Sequence, residues 1–116
     1  MALQFARWDA VILTRRVVVT TRRHVLERLS QEQATLRRDF RVTSLALFGS
    51  LARNEATDKS DVDLLVTFKR PAGYFALIAL QQHLESILGR NVDIVTPGGL
   101  KPGMRERVLQ EAIDVD

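Results

Sequence analysis

The sequence predicts a small α/β domain in which a three-stranded sheet is covered by about four helices. The length of 116 residues is enough for one domain with a single core and too short for two. Segments with helical spacing of apolar residues alternate with short, almost continuously apolar runs, which are typical of strands buried on both faces of a sheet. A hydrophobic fraction of 46% and a charged fraction of 27% indicate a folded, soluble chain.

The chain is predicted to divide into an N-terminal extension of unknown role, residues 1–22, and one domain, residues 23–116. Arginines are concentrated near the N-terminus, at Arg7, Arg15, Arg16, Arg22, Arg23, Arg28, Arg37, Arg38 and Arg41. A basic arm of this kind can attract nucleic acid or an acidic partner over a long range. A solvated face with a loose tail is the preferred interpretation, so nucleic acid is not expected as a partner.

The first predicted helix covers residues 22–40, where apolar residues recur every three to four positions between charged ones. Ser30 and Gln33 fit a capping box that would restart the helix, but one continuous helix is preferred. The run VTSLALF, residues 42–48, is β-branched at its start and then apolar, and it predicts the first strand.

The run DVDLLVTF, residues 61–68, predicts the second strand. A helix is predicted over residues 74–88, with Gly89 as its stop. The apolar residues expected on or near one face of this helix are Phe75, Ile78 and Leu88.

The run NVDIV, residues 91–95, predicts a third short strand. Pro102 suits the first turn of a last helix. The apolar side predicted for this helix consists of Val108, Leu109, Ala112 and Ile113.

Two carboxylates, Asp61 and Asp63, stand at the start of the second predicted strand. Side chains two residues apart share a face of a strand, so both project to one side while Val62 points to the opposite layer. Two close carboxylates repel each other unless a cation lies between them, and Mg²⁺ accepts carboxylate, water and phosphate oxygens as ligands. An isolated Asp-x-Asp is common by chance, and its alternative interpretation is a loop end followed by an exposed residue of an edge strand.

Asp93 repeats this design, because it also lies close to the start of an apolar strand. If the two strands are neighbours, three carboxylates converge at one end of the sheet. Two of them would then grip a pair of metal ions, and the third could also take a proton from an attacking hydroxyl. The alternative for Asp93 is a strand-end residue that caps a turn, and the strand order decides between the two.

A Gly-Ser pair, Gly49 and Ser50, follows the first predicted strand. Glycine lets the backbone approach a ligand closely, and backbone N–H groups with a hydroxyl at the start of a helix can bind phosphate. The pair alone carries little information. A much more specific pattern is a strand that is followed by Gly-Ser and, after ten further residues, by an Asp-x-Asp at the start of another strand.

Other classes of site are not expected. The chain has no cysteine, which excludes disulfides and thiolate metal sites and fits a reducing cytosol, so a cytoplasmic location is predicted. His24 and His83 lie far apart in the sequence, and a zinc site is not expected. No apolar run approaches the ~20 residues that span a bilayer, so no membrane association is expected. Neither a Walker loop nor a dinucleotide-binding fingerprint occurs.

The stretch FGSLARNEATDKSDVDLLV, residues 48–66, resembles the signature of the nucleotidyltransferase superfamily related to DNA polymerase β. It is similar in particular to the minimal nucleotidyltransferases of prokaryotes, often called MntA-type antitoxins. GRNVDIVTPGGLKPGMRERVLQEAI, residues 89–113, resembles the third-carboxylate strand and closing helix of that family. The resemblance covers residues 23–113. It implies a small nucleotidyltransferase fold with a mixed three-stranded sheet and flanking helices.

The resemblance also implies a site. Asp61, Asp63 and Asp93 are expected to be catalytic and to bind a pair of Mg²⁺ ions, Gly49 and Ser50 to hold the triphosphate of ATP, and Arg53 to lie beside that loop. The family usually has glycine where this chain has Asn54. Because asparagine tolerates the left-handed conformation better than most residues, the turn is expected to survive.

The implied activity is that of a protein adenylyltransferase, which transfers AMP from ATP to a hydroxyl of a HEPN-type toxin and acts as its antitoxin. Three cations on the last helix, Lys101, Arg105 and Arg107, could neutralise phosphate charge, although the solvent side is preferred for Arg107.

Three alternatives stay open beside this activity: a non-catalytic antitoxin that masks its toxin sterically, a small-molecule nucleotidyltransferase, and a nucleic-acid binder that uses the basic arm. A small-molecule enzyme usually carries an extra helical domain for the acceptor, for which 116 residues leave no room. A homo-oligomer is a further possibility that the sequence does not decide.

Overall fold

The structure is a computed structural model that describes residues 21–115. The predicted extension over residues 1–22, with Trp8 and the first arginines, therefore lies almost entirely outside the described residues. The described helices are α1 (Arg22–Gln31), α2 (Gln33–Asp39), α3 (Gly49–Ala52), α4 (Tyr74–Leu88) and α5 (Pro102–Glu111), with a 3-10 helix at Pro97–Gly99. The described strands are β1 (Val42–Phe48), β2 (Val62–Phe68), β3 (Val92–Val95) and β4 (Ile113–Asp114).

The sheet of the described chain has four strands in the order β3-β2-β1-β4, so the predicted number of three is wrong. Strand β1 pairs antiparallel with both β2 and β4, whereas β2 pairs parallel with β3. The mixed character implied by the family resemblance is confirmed. With five α-helices rather than about four around this sheet, the α/β class is also confirmed.

The fourth strand arises where the last helix was expected to continue. Helix α5 ends at Glu111, and Ile113 pairs with Leu47 of β1 instead of lying on the apolar side of the helix. The N–H of Val115 donates to the carbonyl oxygen of Leu45 at 2.9 Å. A strand of two residues has too little sequence for an alternation pattern, and it forms because the open edge of β1 offers unpaired backbone groups.

The predicted single helix over residues 22–40 is interrupted at Glu32, whose φ of −93° and ψ of 0° divide it into α1 and α2. Thr21 caps α1, since its hydroxyl accepts a hydrogen bond from the N–H of His24 at 3.2 Å. The capping box considered at Ser30 and Gln33 does not start α2, whose N-cap residue is Glu32 and which has no side-chain cap. The amide of Gln33 donates instead to the carbonyl oxygen of Val115 at 2.7 Å, and so ties α2 to the C-terminal end of the described chain.

Apolar side chains cover both faces of the sheet, as the apolar strands predicted. The larger core contains the side chains that α1, α2, α4 and one face of the sheet bury, among them Val25, Leu29, Leu36, Leu45, Leu47, Val62, Leu64, Val66, Leu80, Leu84, Leu88 and Val92. The smaller core lies on the other face under α5 and contains Ala46, Phe48, Leu65 and Val108. Because side chains alternate along β2, Asp63 shares the face of Leu65, and this face is the one that α5 covers.

Helix α4 has the predicted bounds, and Gly89 ends it in the left-handed conformation with a φ of 67°. Its buried side is formed by Leu80, Leu84 and Leu88, while Phe75, expected near the apolar face, is 81% exposed. Phe75 lies in the first turn of the helix, whereas the buried side chains belong to its later turns. Among residues 21–115, no helix combines the length and the apolar character needed to cross a bilayer.

Candidate active site

A cleft of about 450 Å³ lies on the face of the sheet that α5 covers. It is lined by most of the predicted site residues, namely Gly49, Ser50, Arg53, Asp63 and Asp93. The other lining residues are Phe48, Val95, Met104, Arg107, Val108 and Glu111. Asp61 does not line this cleft. It lies at the edge of a neighbouring cavity of about 560 Å³, which Ser60, Arg90 and Asn91 also line.

The sheet register brings two of the predicted carboxylates side by side. Asp63 of β2 is the direct partner of Asp93 on the parallel strand β3. The residues before them, Val62 and Val92, are buried on the opposite face, as the alternation rule predicted. Asp61 precedes β2 and is exposed. The strand order therefore places Asp63 and Asp93 at one end of the sheet, with Asp61 next to them.

Gly49 is required by its contact with Asp63. Phe48 is the register partner of Asp63, so the residue after Phe48 turns directly over that carboxylate. The φ of Gly49 is +79°, and a Cβ atom at this position would overlap the carboxylate of Asp63. The sequence predicted a close approach of the backbone to a ligand, and the structure shows a close approach to a carboxylate of the chain itself. Asn54 has a φ of +61°, which confirms that asparagine supplies the left-handed turn.

Asp63 carries a perturbed carboxyl group. Partial burial, and then the negative charges of Asp93 and Asp61, raise the pKa of Asp63 to about 6. The positive charge of Arg53 acts in the opposite direction and lowers it, while Glu111 adds to the rise. The ionised form of Asp63 is therefore disfavoured, first by partial burial and then by the neighbouring negative charges.

Among residues 21–115, no three acidic, histidine or cysteine side chains are drawn together into a preformed metal-binding group. The donor chemistry nevertheless fits a divalent cation. Asp61, Asp63 and Asp93 offer only oxygen ligands, which Mg²⁺ prefers, and after partial burial the charges of Asp93 and Asp61 contribute to the raised pKa of Asp63. Asp61 and Asp93 are exposed, which leaves their carboxylates free to turn toward an ion.

The sequence missed Glu111, the last residue of α5. Its carboxylate accepts hydrogen bonds from the N–H of Gly49 at 3.1 Å and from the guanidinium of Arg53 at 3.1 and 3.3 Å. Arg53 also donates to Glu55 at 2.8 Å. Partial burial raises the pKa of Glu111, but the hydrogen bonds from Arg53 and Gly49 outweigh this effect and leave the pKa below its usual value. No sequence signal connects residues 49 and 111, because the contact depends on how α5 packs on the sheet.

The sequence also missed Arg90, which is only 7% exposed. Its guanidinium donates to the carbonyl oxygen of Thr57 at 2.6 Å and to that of Ser60 at 3.0 Å. These bonds fix the loop that leads into Asp61. Arg90 therefore joins the segment before β2 to the segment before β3.

The cations of the last helix occupy different positions. Lys101 and Arg105 are exposed and lie outside the cleft lining. Arg107 is exposed as well, yet it lines the cleft and contributes to the lowered pKa of Glu111. Of these three residues, Arg107 is the one that lines the cleft, and its exposed side chain agrees with the solvent-side position preferred from the sequence.

The stability of the metal-free chain is expected to vary with the ionisation of Asp63. Its pKa is raised from 3.8 to about 6 in the folded chain, so the folded state holds the proton more tightly than the unfolded state. The resulting stabilisation is complete below about pH 4 and is lost as the pH rises through 6. The variant Asp63→Asn does not ionise at this position. The difference in free energy of unfolding, variant minus wild type, should therefore be about 1 kcal/mol larger at pH 7.5 than at pH 4.5, a value that allows for solvent screening.

Urea denaturation of both proteins at these two pH values, in EDTA, measures this gain. A difference between variant and wild type that is the same at both pH values would contradict it.

Known proteins resemble this chain in sequence and in fold. Residues 18–115 match the family model of the nucleotidyltransferase domain. The chain is 39% identical over 87 residues to the protein adenylyltransferase MntA of Thermococcus cleftensis, and the match covers 75% of this chain and 88% of that protein. It is 41% identical to a solved structure of a presumed minimal nucleotidyltransferase, with a TM-score of 0.64 over 76% of this chain and 93% of the other.

A more distant likeness concerns the fold alone. It is to a chain of the complex between a tri-AMPylated HEPN toxin of Shewanella oneidensis and an MNT antitoxin. The TM-score is 0.58 at 22% identity, over 78% of this chain and 71% of that one.

Proposed function

The chain belongs to the nucleotidyltransferase domain family, and from this membership we propose that it transfers AMP from ATP to a hydroxyl of a partner protein. The observation that carries the proposal is the register of Asp63 with Asp93 beside the backbone of Gly49, in one cleft of about 450 Å³. The cleft combines acidic groups with N–H and guanidinium donors, and a nucleoside triphosphate with its cations requires both kinds of group.

The phosphates are proposed to bind at the donor side of the cleft. Arg53 presents a planar guanidinium that suits two phosphate oxygens, and Ser50 presents a hydroxyl. The N–H of Gly49 points to the same region, as its hydrogen bond to Glu111 demonstrates. Arg107 lines the same cleft and adds positive charge. These groups would orient the β- and γ-phosphates and leave the α-phosphate toward the carboxylates.

Asp61, Asp63 and Asp93 are proposed to hold Mg²⁺. When bound, Mg²⁺ would offset negative charge at the α-phosphate and lower the pKa of the acceptor hydroxyl. Asp93 is exposed and lines the cleft, where it can take the proton of that hydroxyl. The hydroxyl oxygen then forms a bond to the α-phosphorus, the bond to the β-phosphate oxygen breaks, and pyrophosphate leaves.

The acceptor is proposed to be a HEPN-type toxin, for which this chain would be the antitoxin. Two observations on similar proteins support this: a relative at 39% identity is named protein adenylyltransferase MntA, and a chain of the same fold occurs in a complex with an AMPylated HEPN toxin. One sheet and its helices account for residues 21–115, so the described chain contains no second domain that could bind an acceptor. An acceptor group from another chain fits this architecture.

The proposal is tested by incubating the protein with α-labelled ATP, Mg²⁺ and the product of the adjacent reading frame. Mass spectrometry is expected to find AMP attached to a hydroxyl side chain of that product, and pyrophosphate should be released in equal amount. Neutralisation of the toxin without any attached AMP would overturn catalysis and favour steric masking. Addition of AMP to a small molecule alone would overturn the protein acceptor.

Ser50→Ala is expected to weaken ATP binding by about three- to tenfold, because it removes one hydrogen bond to a charged phosphate. Ser50 is half-buried, and its hydroxyl makes no hydrogen bond to the described part of the chain. The free energy of unfolding should therefore change by less than about 0.5 kcal/mol. Calorimetric titration with a nonhydrolysable ATP analogue measures the affinity, and Ser44→Ala, at an exposed position of β1, is the matched control. An unchanged affinity in Ser50→Ala would remove Ser50 from the phosphate site.

A further inference from the structure

The carboxylate of Glu111 occupies donors that a phosphate would need. It accepts the N–H of Gly49 at 3.1 Å and two hydrogen bonds from the same guanidinium nitrogen of Arg53, at 3.1 and 3.3 Å. Its side chain is 17% exposed, and it is one of the residues that line the cleft. A carboxylate and a phosphate present similar oxygens to such donors. Gly49 has a single N–H, and Glu111 and a phosphate oxygen cannot both accept it in full.

The position of Glu111 is electrostatically unfavourable apart from these contacts. It ends α5, where the negative end of the helix dipole disfavours an anion. It is also close enough to Asp63 to contribute to the raised pKa of that carboxyl. The contacts with Gly49 and Arg53 compensate for this. A negatively charged ligand that reaches the same donors would meet repulsion from Glu111 as long as Glu111 stays in place.

We infer that Glu111 is a built-in competitor of the triphosphate: its carboxylate fills the phosphate-binding donors, and a phosphate group of the nucleotide must displace it. The inference rests on the proposed function, and it assigns to Glu111 a role in setting nucleotide affinity. Displacement breaks the hydrogen bonds to Gly49 and Arg53 and turns the carboxylate toward solvent. No covalent step is involved.

The variant Glu111→Gln keeps the shape of the side chain and removes its charge. The affinity for a nonhydrolysable ATP analogue in Mg²⁺ is expected to rise about tenfold, because the displaced group is neutral and no longer repels the phosphates. The affinity for adenosine, which has no phosphate, is expected to stay the same. If Glu111 only held Arg53 and Gly49 in position, the same variant would bind the analogue more weakly than wild type, so the direction of the change decides.

Two variants serve as controls. Glu106→Gln removes the same charge from an exposed position of α5 and should leave the affinity within twofold of wild type. Glu55→Gln removes the negative charge of the other partner of Arg53 but leaves the contact of Glu111 with Gly49 intact, so it should raise the affinity less than Glu111→Gln does. An equal rise in all three variants would attribute the effect to net charge and overturn the inference.

A measurement on the unmodified chain keeps the inference testable if Glu111→Gln does not fold. In NMR titrations with the analogue, the amide signal of Gly49 and the side-chain carboxyl carbon signal of Glu111 should shift with the same half-saturation. A shift at Gly49 without one at Glu111 would overturn the displacement. If neither wild type nor Glu111→Gln binds the analogue, the proposed function fails together with the inference. If both bind it with equal affinity, only the inference is overturned.

Discussion

The double substitution Asp61→Asn with Asp63→Asn is expected to lower AMP transfer by about a thousandfold or more, equal to at least about 4 kcal/mol in the barrier. Asn keeps the size of both side chains but removes the two negative charges that would hold Mg²⁺. Asp93 alone cannot replace them, because it lies on the neighbouring strand and keeps a single carboxylate. The measurement is the rate of transfer from labelled ATP in Mg²⁺.

The folded state of this double variant should survive. Asp61 is exposed, and the burial and like charge that raise the pKa of Asp63 already work against its ionised form. Mg²⁺ should therefore raise the melting temperature of wild type and leave that of the double variant unchanged, since only a protein that binds the ion gains stability from it.

The matched control for the double variant is Asp39→Asn with Glu106→Gln, which also removes two acidic charges but from exposed positions outside the cleft. It should transfer AMP at the wild-type rate. Transfer at an undiminished rate by the Asp61 and Asp63 variant would refute the assignment of these carboxylates to the metal.

Gly49→Ala is expected to abolish detectable ATP binding and to destabilise the chain by about 2 to 4 kcal/mol. Two effects add: the φ of +79° costs about 1 to 2 kcal/mol for any residue with a Cβ atom, and the new methyl group would overlap the carboxylate of Asp63. Relief of this overlap must move either the backbone that presents the N–H of Gly49 or the carboxylate itself. Both movements damage the site. Urea denaturation and titration with the ATP analogue measure the two consequences.

The chain offers controls that separate strain from overlap. Gly89 has a φ of +67° with open space around it, so Gly89→Ala should show the strain alone, about 1 to 2 kcal/mol, and normal ATP binding. Gly98 has neither feature, and Gly98→Ala should behave like wild type. Adding Asp63→Ala to Gly49→Ala should recover part of the lost stability, a non-additive effect that marks direct contact. Equal destabilisation by Gly49→Ala and Gly89→Ala would refute the overlap.

Local patterns in the sequence were sufficient for most of the individual elements. β1 and α4 have the predicted bounds, and the predicted strands at 61–68 and 91–95 each begin one residue later than expected. Apolar periodicity predicts these elements because each residue's burial depends on the face of its own helix or strand. The same alternation placed Val62 in the core and Asp63 on the opposite face. The Gly-Ser and Asp-x-Asp spacing led to the family that the comparisons then showed.

The errors in the predicted fold lie where distant parts of the chain meet. The helical pattern over residues 22–40 did not reveal the interruption at Glu32, after which Gln33 bonds to Val115. The strand of Ile113 and Asp114 is too short for any periodicity, and it exists because β1 has an open edge. Phe75 fits an apolar helix face in the sequence, yet it is exposed in the structure.

The sequence by itself determined the family, the chemical character of the carboxylate and Gly-Ser segments, and the face of β2 on which Asp63 lies. Only the tertiary structure decided that β2 and β3 are parallel neighbours, so that Asp63 meets Asp93, and that α5 brings Glu111 to Gly49 and Arg53. The physical reason is the range of the forces involved. Backbone periodicity is a property of neighbouring residues, whereas strand order and helix docking depend on how the whole chain buries its apolar surface, and a contact across 62 positions leaves no local pattern.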